Sequence, residues 1–562
     1  MITTLSTLLA ASTTASGASD KIAIPSIRYL TIMPPIIMIG GAVILLAVAS
    51  LVSRPLRVRV STIGSVVISG SAFGISIWQW CDVRAHGAHT YIAHAVVMDG
   101  FSVLITMTVA VAMLLTALVA DGYLKREGIT GAEFHVLALV SASGAMVMGL
   151  ANDLIIIFLG LEILSIALYV LTAFNHRRTA SGEAALKYFL LGGFSSAIFV
   201  YGIALTYGAT GSTNLTQIAD FLSKNVVLTN GLLLAGLALM LVGFAFKVAA
   251  VPFHMWTPDV YEGAPTPVTG FMAAVAKAGA FAALLRVLFS SLGVISADWK
   301  PIIYALAVLS LVVGSVVALR QRDVKRMLAY SSINHAGFIL LGVESALPRG
   351  VSASLYYLVA YMFMTIGSFA IVTVLGRQGD GDHDLTRYRG LARRQPLLAL
   401  SFAILLLAQA GAPFTTGLWA KLQVVLATVS AGAVPLAVIA MVTAAVAAFF
   451  YLRVAVLMYA SKEPEQGAQG FVAPPARTDA GTQIPWASPD GVSGTVTTLN
   501  AELLLAGDAP AASGEETPST VRVPFLSALA IGACVAATVF FGIVPAPLLD
   551  FANHASLLFL GH

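Results

Sequence analysis

Long apolar segments recur along almost the whole chain and restrict its fold more than any other feature. About 20 apolar residues are enough to cross a bilayer as a helix. Only 10% of the residues are charged, against about 25% in soluble domains. The sequence therefore predicts an all-α polytopic membrane protein with about 14 transmembrane helices, at 32–53, 58–80, 98–120, 133–150, 152–174, 183–208, 228–250, 265–292, 300–319, 325–344, 352–376, 396–428, 434–459 and 523–548.

The loops between these segments differ in their content of Lys and Arg. One set of alternate loops carries 19 of the 31 Lys and Arg residues, and the opposite set carries six. Because basic loops stay in the cytoplasm, we expect the first set to be cytoplasmic and both termini to face outward. The basic residues are spread along the chain rather than clustered, which argues against a nucleic-acid partner.

The segments and loops divide the chain into six regions. They are an N-terminal tail (1–31), three peripheral spans (32–131), two groups of five spans (132–292 and 293–460), a Pro/Gly/Ser-rich loop (461–522) and a last span (523–562). The tail lacks the basic start of a signal peptide. The loop has too few apolar residues to offset the entropy of ordering, so we expect it to be mostly disordered and cytoplasmic.

Few residues suit a bound cofactor or metal. The two cysteines, Cys81 and Cys534, are far apart and form no C-x-x-C pair, which argues against an iron–sulfur cluster or a disulfide framework. The sequence has no Gly-rich nucleotide loop after a strand and no nucleophile elbow. We therefore expect no cofactor or metal, and no redox or hydrolytic chemistry within this chain.

Six basic residues fall inside the predicted spans, where a cation costs about 2.5–3.5 kcal/mol. Arg286 and Arg453 lie near span ends, so we expect these side chains to reach the membrane surface. The other four are lysines: Lys187, Lys247, Lys277 and Lys421. A buried lysine paired with a movable carboxylate can be switched between its charged and neutral forms. The lysines are therefore candidates for proton transfer.

Several acids and one histidine are candidates to act with these lysines. Glu162 lies in the middle of a span, and Glu133 opens the fourth span. His335 lies centrally in the tenth span, and imidazole titrates near neutral pH. Glu183 precedes Lys187 by one helical turn, so a local salt bridge is an alternative role for that lysine. For the others the alternative is a structural ion pair or an interhelical hydrogen bond.

Two prolines predict broken helices beside buried lysines. Pro252 follows Lys247 by five residues, and Pro413 precedes Lys421 by eight. A proline inside a helix removes one backbone hydrogen bond. Broken helices at membrane depth are tolerated only where they are buried or line a wet cavity, and in transporters they mark the ion pathway. A break next to a buried lysine, occurring twice, therefore favours an ion path.

Four stretches of the chain resemble one known family. They read VPFHMWTPDVYEGAPTPVTGF (251–271), FLGLEILSIALYVLTAF (158–174), EAALKYFLLGGFSSAIFVYGIALTYGATGSTNL (183–215) and DVKRMLAYSSINHAGFILLG (323–342). They are similar to subunit N of the proton-pumping NADH–quinone oxidoreductases, the counterpart of mitochondrial subunit 2. The likeness covers roughly 30–460 and the last span. PDVYEGAPTPVT is specific, because the sister subunits and Mrp-type antiporters carry a PDA-type variant there.

The resemblance implies an antiporter-like fold with two inverted five-helix repeats, spans 4–8 and 9–13, whose helices 7 and 12 are broken at mid-membrane. It implies a lateral proton path in which Glu162 modulates Lys247, followed by Lys277 and Lys421. Glu133 and Lys187 match further polar positions of the family. PFTTG (413–417) departs from the family's usual PPTAG, which leaves the position of the second break open.

The resemblance also implies partners and a location. It implies that NAD, FMN, iron–sulfur clusters and quinone are used by other subunits of the complex. The partners would be those membrane subunits and the lipid bilayer, in the plasma membrane of a bacterium. In this hypothesis Lys247 exchanges a proton with cytoplasmic water, Lys277 and His335 pass it on, and Lys421 releases it. The alternatives are an Mrp-type cation/proton antiporter and a scaffold whose lysines only pair helices.

Overall fold

The computed structural model describes residues 27–225, 231–381, 383–460, 522–557 and 559. This part consists of helices and one small hairpin. The elements are α1 (Met33–Leu51), α2 (Arg54–His86), β1 (His89–Tyr91), β2 (Val96–Met98), α3 (Gly100–Glu127), α4 (Glu133–Leu150), α5 (Leu154–Thr172), α6 (Thr179–Thr210), α7 (Leu215–Lys224), α8 (Gly231–Val248), α9 (Trp256–Gly263), α10 (Thr266–Ser290), α11 (Ser296–Ala318), α12 (Val324–Glu344), α13 (Pro348–Leu375), α14 (Leu391–Arg394), α15 (Pro396–Ala410), α16 (Thr416–Ser430), α17 (Val434–Ala460), α18 (Phe525–Ile543) and α19 (Ala546–Leu557). Nearly all of the predicted tail and of the predicted disordered loop lies outside the described residues.

Twelve helices of the described part are long and apolar enough to cross a membrane, so the predicted polytopic membrane fold is confirmed. Two predicted spans differ from the rest. The tenth is α12, which is made more polar by Lys325, Arg326 and His335. The twelfth consists of two helices, α15 and α16, of 15 residues each, and neither alone is as long as a bilayer is thick. The total of fourteen spans stays a prediction.

Helix α10, which carries Lys277, lies at the centre of the bundle. It is buried along its whole apolar length, and α3 and α13 are buried along most of theirs. Helices α1, α2, α6 and α18 lie outside and expose apolar side chains. Lipid therefore contacts the outer helices, and a charge on α10 is shielded from both lipid and bulk water.

The helices next to Lys247 and Lys421 are interrupted. Helix α8 ends at Val248, the chain turns, and α9 begins at Trp256. Helix α15 ends at Ala410, and Gly411 follows with φ +94°, a left-handed conformation that glycine adopts without strain. Both interruptions leave helix-end carbonyls unpaired within the helix. Their depth in the membrane stays a prediction.

Helices α4 and α5 form a tight antiparallel hairpin, joined by residues 151–153. A Cβ atom on Gly144 would lie 2.5 Å from the backbone nitrogen of Leu164, so only glycine permits this approach. Asp153 accepts a hydrogen bond from the Ile155 amide and caps α5. The short linker and this close approach keep the two helices side by side. It also positions Glu162 on the α5 face next to α6.

A β-hairpin and a short helix, neither of which was predicted from the sequence, close one end of the bundle. Strands β1 and β2 pair antiparallel, and α7 is a short amphipathic helix. The side chains of Asn152 and Asn214 both donate to the carbonyl oxygen of His94, at 3.0 and 2.8 Å. These hydrogen bonds join the hairpin to the loops at the starts of α5 and α7.

Arg286 does not reach the membrane surface, so that prediction was wrong. Its guanidinium is fully buried and binds Asp99 in two places, with Nη1 to Oδ2 at 2.5 Å and Nη2 to Oδ1 at 3.0 Å. It also donates to the Gly149 carbonyl at 2.9 Å. The rings of Phe101 and Phe559 lie 4.6 and 4.8 Å from the guanidinium. Asp99 lies 187 residues earlier in the chain, so no local pattern indicated the pair.

A second buried carboxylate, Asp380, connects the segment after α13 to the starts of α10 and α12. It accepts from the Thr266 amide at 2.9 Å and the Thr266 hydroxyl at 2.7 Å. Lys325 Nζ and His383 Nε2 lie 3.5 and 3.4 Å away. Burial alone would raise the pKa of Asp380, but Lys325 and His383 hold that pKa below its ordinary value. The cluster fixes α10 against α12, and side chains of these two helices meet at Lys277.

Replacing Arg286 with Met should lower the free energy of unfolding by about 3–5 kcal/mol, because Asp99 would stay buried without its cation. The measurement is the unfolding temperature of the purified protein together with its amount in membranes. The matched control is Arg349→Met at an exposed arginine, which should have little effect. Equal stability of the two variants would contradict the assigned role of the pair.

Candidate functional site

Lys247 lies in a buried pocket between α5, α6 and α8. Its Nζ donates to the hydroxyls of Ser165 at 2.6 Å and Tyr188 at 3.3 Å. The rings of Tyr169 and Tyr188 lie 5.8 and 5.3 Å from the same atom. No carboxylate in the described part of the chain lies within ion-pairing distance of Nζ. Hydroxyls and aromatic faces alone therefore solvate this ammonium.

Glu162 lies on α5 one turn before Ser165 and is only half-buried. Its Oε1 accepts a hydrogen bond from Ser196 Oγ at 2.5 Å. A cavity of about 10 Å³ is lined by both Ser196 and Lys247, which is about the space that one water molecule needs. Glu162 and Lys247 are thus near neighbours across a small space, as the resemblance implied, but they do not form a direct ion pair.

Lys277 directly follows a short π-helical stretch of α10, Met272–Ala276. Such stretches occur often at functional sites. Lys277 Nζ donates to the carbonyl and hydroxyl oxygens of Ser332 on α12, at 2.5 and 2.6 Å. Tyr361 donates to the same hydroxyl at 2.8 Å. Lys277 is likewise held without a carboxylate at ion-pairing distance among the described residues.

His335 bonds two tyrosines from different helices. Its Nδ1 lies 2.7 Å from the Tyr357 hydroxyl on α13, and its Nε2 lies 3.2 Å from the Tyr451 hydroxyl on α17. The Tyr451 hydroxyl also bonds Ser331. Each of these hydroxyls can donate or accept a hydrogen bond. The group can therefore reverse the direction of its hydrogen bonds, which a proton relay requires.

Lys421 binds the end of the interrupted helix. Its Nζ donates to the Ala410 carbonyl, the last of α15, at 2.8 Å, and lies 4.9 Å from the ring of Phe338. The preceding residue, Gln409, accepts from Ser331 at 3.2 Å. The break therefore supplies the oxygen that holds this third lysine, again without a carboxylate partner in the described part.

A series of polar groups thus runs from Lys277 to Lys421. It passes along α12 from Ser332 to its neighbour Ser331, crosses to Gln409, and reaches Lys421 through the adjacent Ala410 carbonyl. His335 joins the series through the Tyr451 hydroxyl, which also bonds Ser331. Two buried lysines and an imidazole are consequently arranged along one series through the bundle.

Aromatic rings lie next to Lys247, on the side that faces the second group of five spans (293–460). Tyr188 stacks on Trp256 with ring centroids 4.6 Å apart, and Trp256 contacts Tyr261 at 6.2 Å. The Trp256 indole donates to the Phe246 carbonyl, which holds it in place after the break. These rings exclude bulk water from the space beside the lysine.

Two of the predicted site residues lie apart from this buried series. Lys187 is exposed and binds Glu183 at 2.8 Å and Asp259 at 3.0 Å, so the local salt bridge considered as an alternative is present. Glu133 is exposed at the first residue of α4. The structure brings together Glu162 with Lys247, and Lys277 with His335 and Lys421.

Most uncharged residues around these groups were not predicted from the sequence, namely Ser165, Tyr188, Tyr357, Tyr361, Gln409 and Tyr451. One available signal was the spacing of Tyr357 and Tyr361, one turn apart in an otherwise apolar helix. Residues at this spacing share a helix face, and their hydroxyls need partners inside a membrane. No group of His, Cys, Asp and Glu suited to a metal ion occurs among the described residues.

Comparison with known proteins gives consistent matches. The profile of the family described as NADH:quinone oxidoreductase/Mrp antiporter, transmembrane, matches residues 151–447. The NADH-quinone oxidoreductase subunit N of Mycobacterium bovis is 43% identical over 444 residues, which cover 78% of this chain and 74% of that protein.

Solved structures share the fold. A chain of respiratory complex I from Thermus thermophilus superposes with a TM-score of 0.70 at 30% identity, covering 92% of this chain and 98% of that one. A chain of the Mrp complex from Dietzia superposes with a TM-score of 0.75, covering 94% of this chain and 98% of that one, but is only 23% identical and shows the fold alone. The antiporter-like fold is therefore confirmed, and the chain belongs to the family of NADH-quinone oxidoreductase subunit N.

Proposed function

We propose that this chain is a proton-translocating membrane subunit of an NADH–quinone oxidoreductase complex. The observation that carries the proposal is the set of three buried lysines, which are 4%, 2% and 6% exposed at Lys247, Lys277 and Lys421, each held by neutral oxygens. The subunit N relative at 43% identity supports the assignment. The chain contributes no redox group. NADH, FMN, iron–sulfur clusters and quinone react in other subunits, which are its partners in the membrane.

Buried ammonium groups without carboxylate partners suit proton transfer rather than stability. A lysine away from water and counter-ions releases its proton more readily than an exposed one. A charge that approaches or leaves changes that tendency strongly, because Coulomb interactions are larger in an apolar interior. The half-buried carboxylate of Glu162, across the small cavity from Lys247, is placed to exert such an effect.

The proposed path follows the polar series. A proton taken up from water reaches Lys247 through the small cavity at Ser196, and it is then passed on toward Lys277. From Lys277 it moves along Ser332, Ser331 and the His335–Tyr451 pair. It leaves from Lys421 when the charge on Lys277 changes. Each handover breaks an N–H or O–H bond at the donor and forms one at the accepting nitrogen or oxygen, so no step requires an oxidant or a reductant.

The proposal also includes the location of the chain, its orientation and its two repeats. The chain lies in the plasma membrane of a bacterium, and the bias of basic residues toward one set of loops supports both termini facing outward. Spans 4–8 (132–292) and 9–13 (293–460) form the two inverted repeats, each with one interrupted helix beside a buried lysine. Glu133, at the start of α4, and Lys187, in the third turn of α6, are both exposed and act at the ends of the path rather than inside it.

Replacing Lys247 with Ala should reduce NADH-driven proton pumping by about tenfold or more, as expected for loss of a group that transfers protons directly. The complex should still assemble. Pumping is measured in inverted membrane vesicles, with the amount of assembled complex determined in the same vesicles. The matched control is Lys224→Ala at an exposed lysine paired with Asp220. Full pumping by the Lys247 variant would rule out the assigned role.

Replacing Lys277 with Met should change the free energy of unfolding by less than about 1 kcal/mol or increase it, because no buried carboxylate loses its partner. Arg286→Met, which strands Asp99, serves as the destabilised comparison. The measurement is the unfolding temperature of the purified protein. A loss of stability as large as that of the Arg286 variant would mean that Lys277 is a structural residue.

A further inference from the structure

A cavity of about 400 Å³ opens at the end of the bundle where α17 finishes and the chain turns from α11 into α12. Its lining has no part in the polar series described above. Three of the lining side chains are arginines from separate segments, and the lining residues are Arg322, Asp384, Leu385, Thr386, Arg389, Arg453 and Leu457.

Hydrogen bonds between the segments hold this cavity in shape. The Leu385 amide donates to the Arg322 carbonyl at 2.8 Å, and the Gly390 amide donates to the Leu457 carbonyl at 3.2 Å. Arg453 Nη1 donates to the carbonyl of Leu319, just after α11, at 3.0 Å. The three arginines therefore converge because the backbone positions them, and their proximity does not depend on flexible side chains alone.

The positive charge in the cavity is not neutralised by the described residues. Asp384 is the one carboxylate in the lining, and its Oδ1 accepts from the Thr386 amide at 2.8 Å. That hydrogen bond, with Arg322 and Arg389 nearby, holds the pKa of Asp384 below its ordinary value, so it carries a single negative charge against three positive ones. No carboxylate of the described part lies within ion-pairing distance of the three guanidiniums. The cavity therefore attracts an anion.

Guanidinium groups match one class of anion particularly well. Their planar N–H donors bind pairs of phosphate oxygens, and several arginines around one cavity are typical of phosphate recognition. Arg453 uses Nη1 for the Leu319 carbonyl, which leaves its other N–H groups available. Basic pockets between transmembrane helices at a membrane surface are suited to lipid headgroups.

An apolar track leads from the cavity along the outside of the bundle. Phe449 precedes Arg453 by one turn of α17 and Leu457 follows it by one turn, so the three share a helix face. Phe449 is exposed, and so are Val312 and Val316 on the neighbouring helix α11. A ligand bound by the arginines would therefore lie next to apolar side chains on the membrane-facing surface of both helices.

We propose that this cavity binds an anionic phospholipid, with its phosphodiester between Arg322, Arg389 and Arg453 and its acyl chains along α11 and α17. The charge surplus selects a lipid with net negative charge over a zwitterionic one, whose ammonium group would lie among three arginines. The proposal rests on this cavity and its flanking helices, and it does not depend on the function of the lysine series.

The test uses the protein purified in its native assembly and phosphatidylglycerol carrying a photoreactive diazirine in the headgroup. After illumination, crosslinked peptides are identified by mass spectrometry. Crosslinks should appear within 385–389 and 453–457. In Arg322→Gln/Arg389→Gln they should fall by about tenfold, as expected for the loss of charge-assisted hydrogen bonds. Arg453 is left unchanged because it also binds the Leu319 carbonyl.

The control variant is Arg54→Gln/Arg59→Gln, which removes two exposed arginines elsewhere and should leave these crosslinks unchanged. Excess phosphatidylglycerol should compete, whereas phosphatidylcholine and inorganic phosphate at the same concentration should not. Equal competition by phosphatidylcholine would overturn selection for negative charge. Equal competition by inorganic phosphate would overturn a lipid as the occupant, and unchanged crosslinking in the arginine variant would overturn the site itself.

Discussion

The structure depends on how it solvates ammonium groups inside hydrocarbon. Lys247, Lys277 and Lys421 each point at hydroxyl or carbonyl oxygens and at an aromatic face. Such contacts satisfy the N–H donors but leave the charge uncompensated. The interruption after Ala410, the paired serines of α12 and the tyrosines around them all follow from this requirement, because each supplies an oxygen where an apolar helix has none.

Buried charges that stabilise the fold, unlike the three lysines, have counter-ions. Arg286 is buried as deeply as the lysines, yet it binds both oxygens of Asp99. Asp380 is surrounded by Lys325, His383 and the Thr266 donors, and it holds the starts of α10 and α12 together. The chain therefore provides counter-ions where position must be fixed. It provides none at ion-pairing distance from Lys247, Lys277 and Lys421, where we propose that protonation changes.

The sequence allowed much of this arrangement to be predicted. The apolar segments predicted the helices, and the lysines within them stood out because a cation is costly there. PDVYEGAPTPVT indicated the family to which the chain belongs. Two prolines also indicated the neighbourhoods of both interruptions, although the second falls at Gly411 through a left-handed turn just before Pro413.

The contacts between helices could not be predicted in the same way. Arg286 was expected at the membrane surface because its position near a span end is visible in sequence, whereas its partner, Asp99, is remote. The separation of Glu162 from Lys247 by a cavity depends on how α5, α6 and α8 pack. Lys187 showed the opposite case, since its partner Glu183 is local and was recognised. Ion-pair partners one helical turn apart can be predicted from a single sequence, whereas partners on different helices cannot.

If the function proposed above is right, the polar series between Lys277 and Lys421 carries protons. The most direct measurement is the number of protons pumped per electron by the purified complex in proteoliposomes after Gln409→Leu, which removes a link without altering any charge. The control is Thr428→Val, at a buried hydroxyl outside the series that bonds the carbonyls of Val424 in its own helix and of Leu341 in α12. We expect a lower ratio for the Gln409 variant and an unchanged ratio for the control. An unchanged ratio for both would contradict that role of the series.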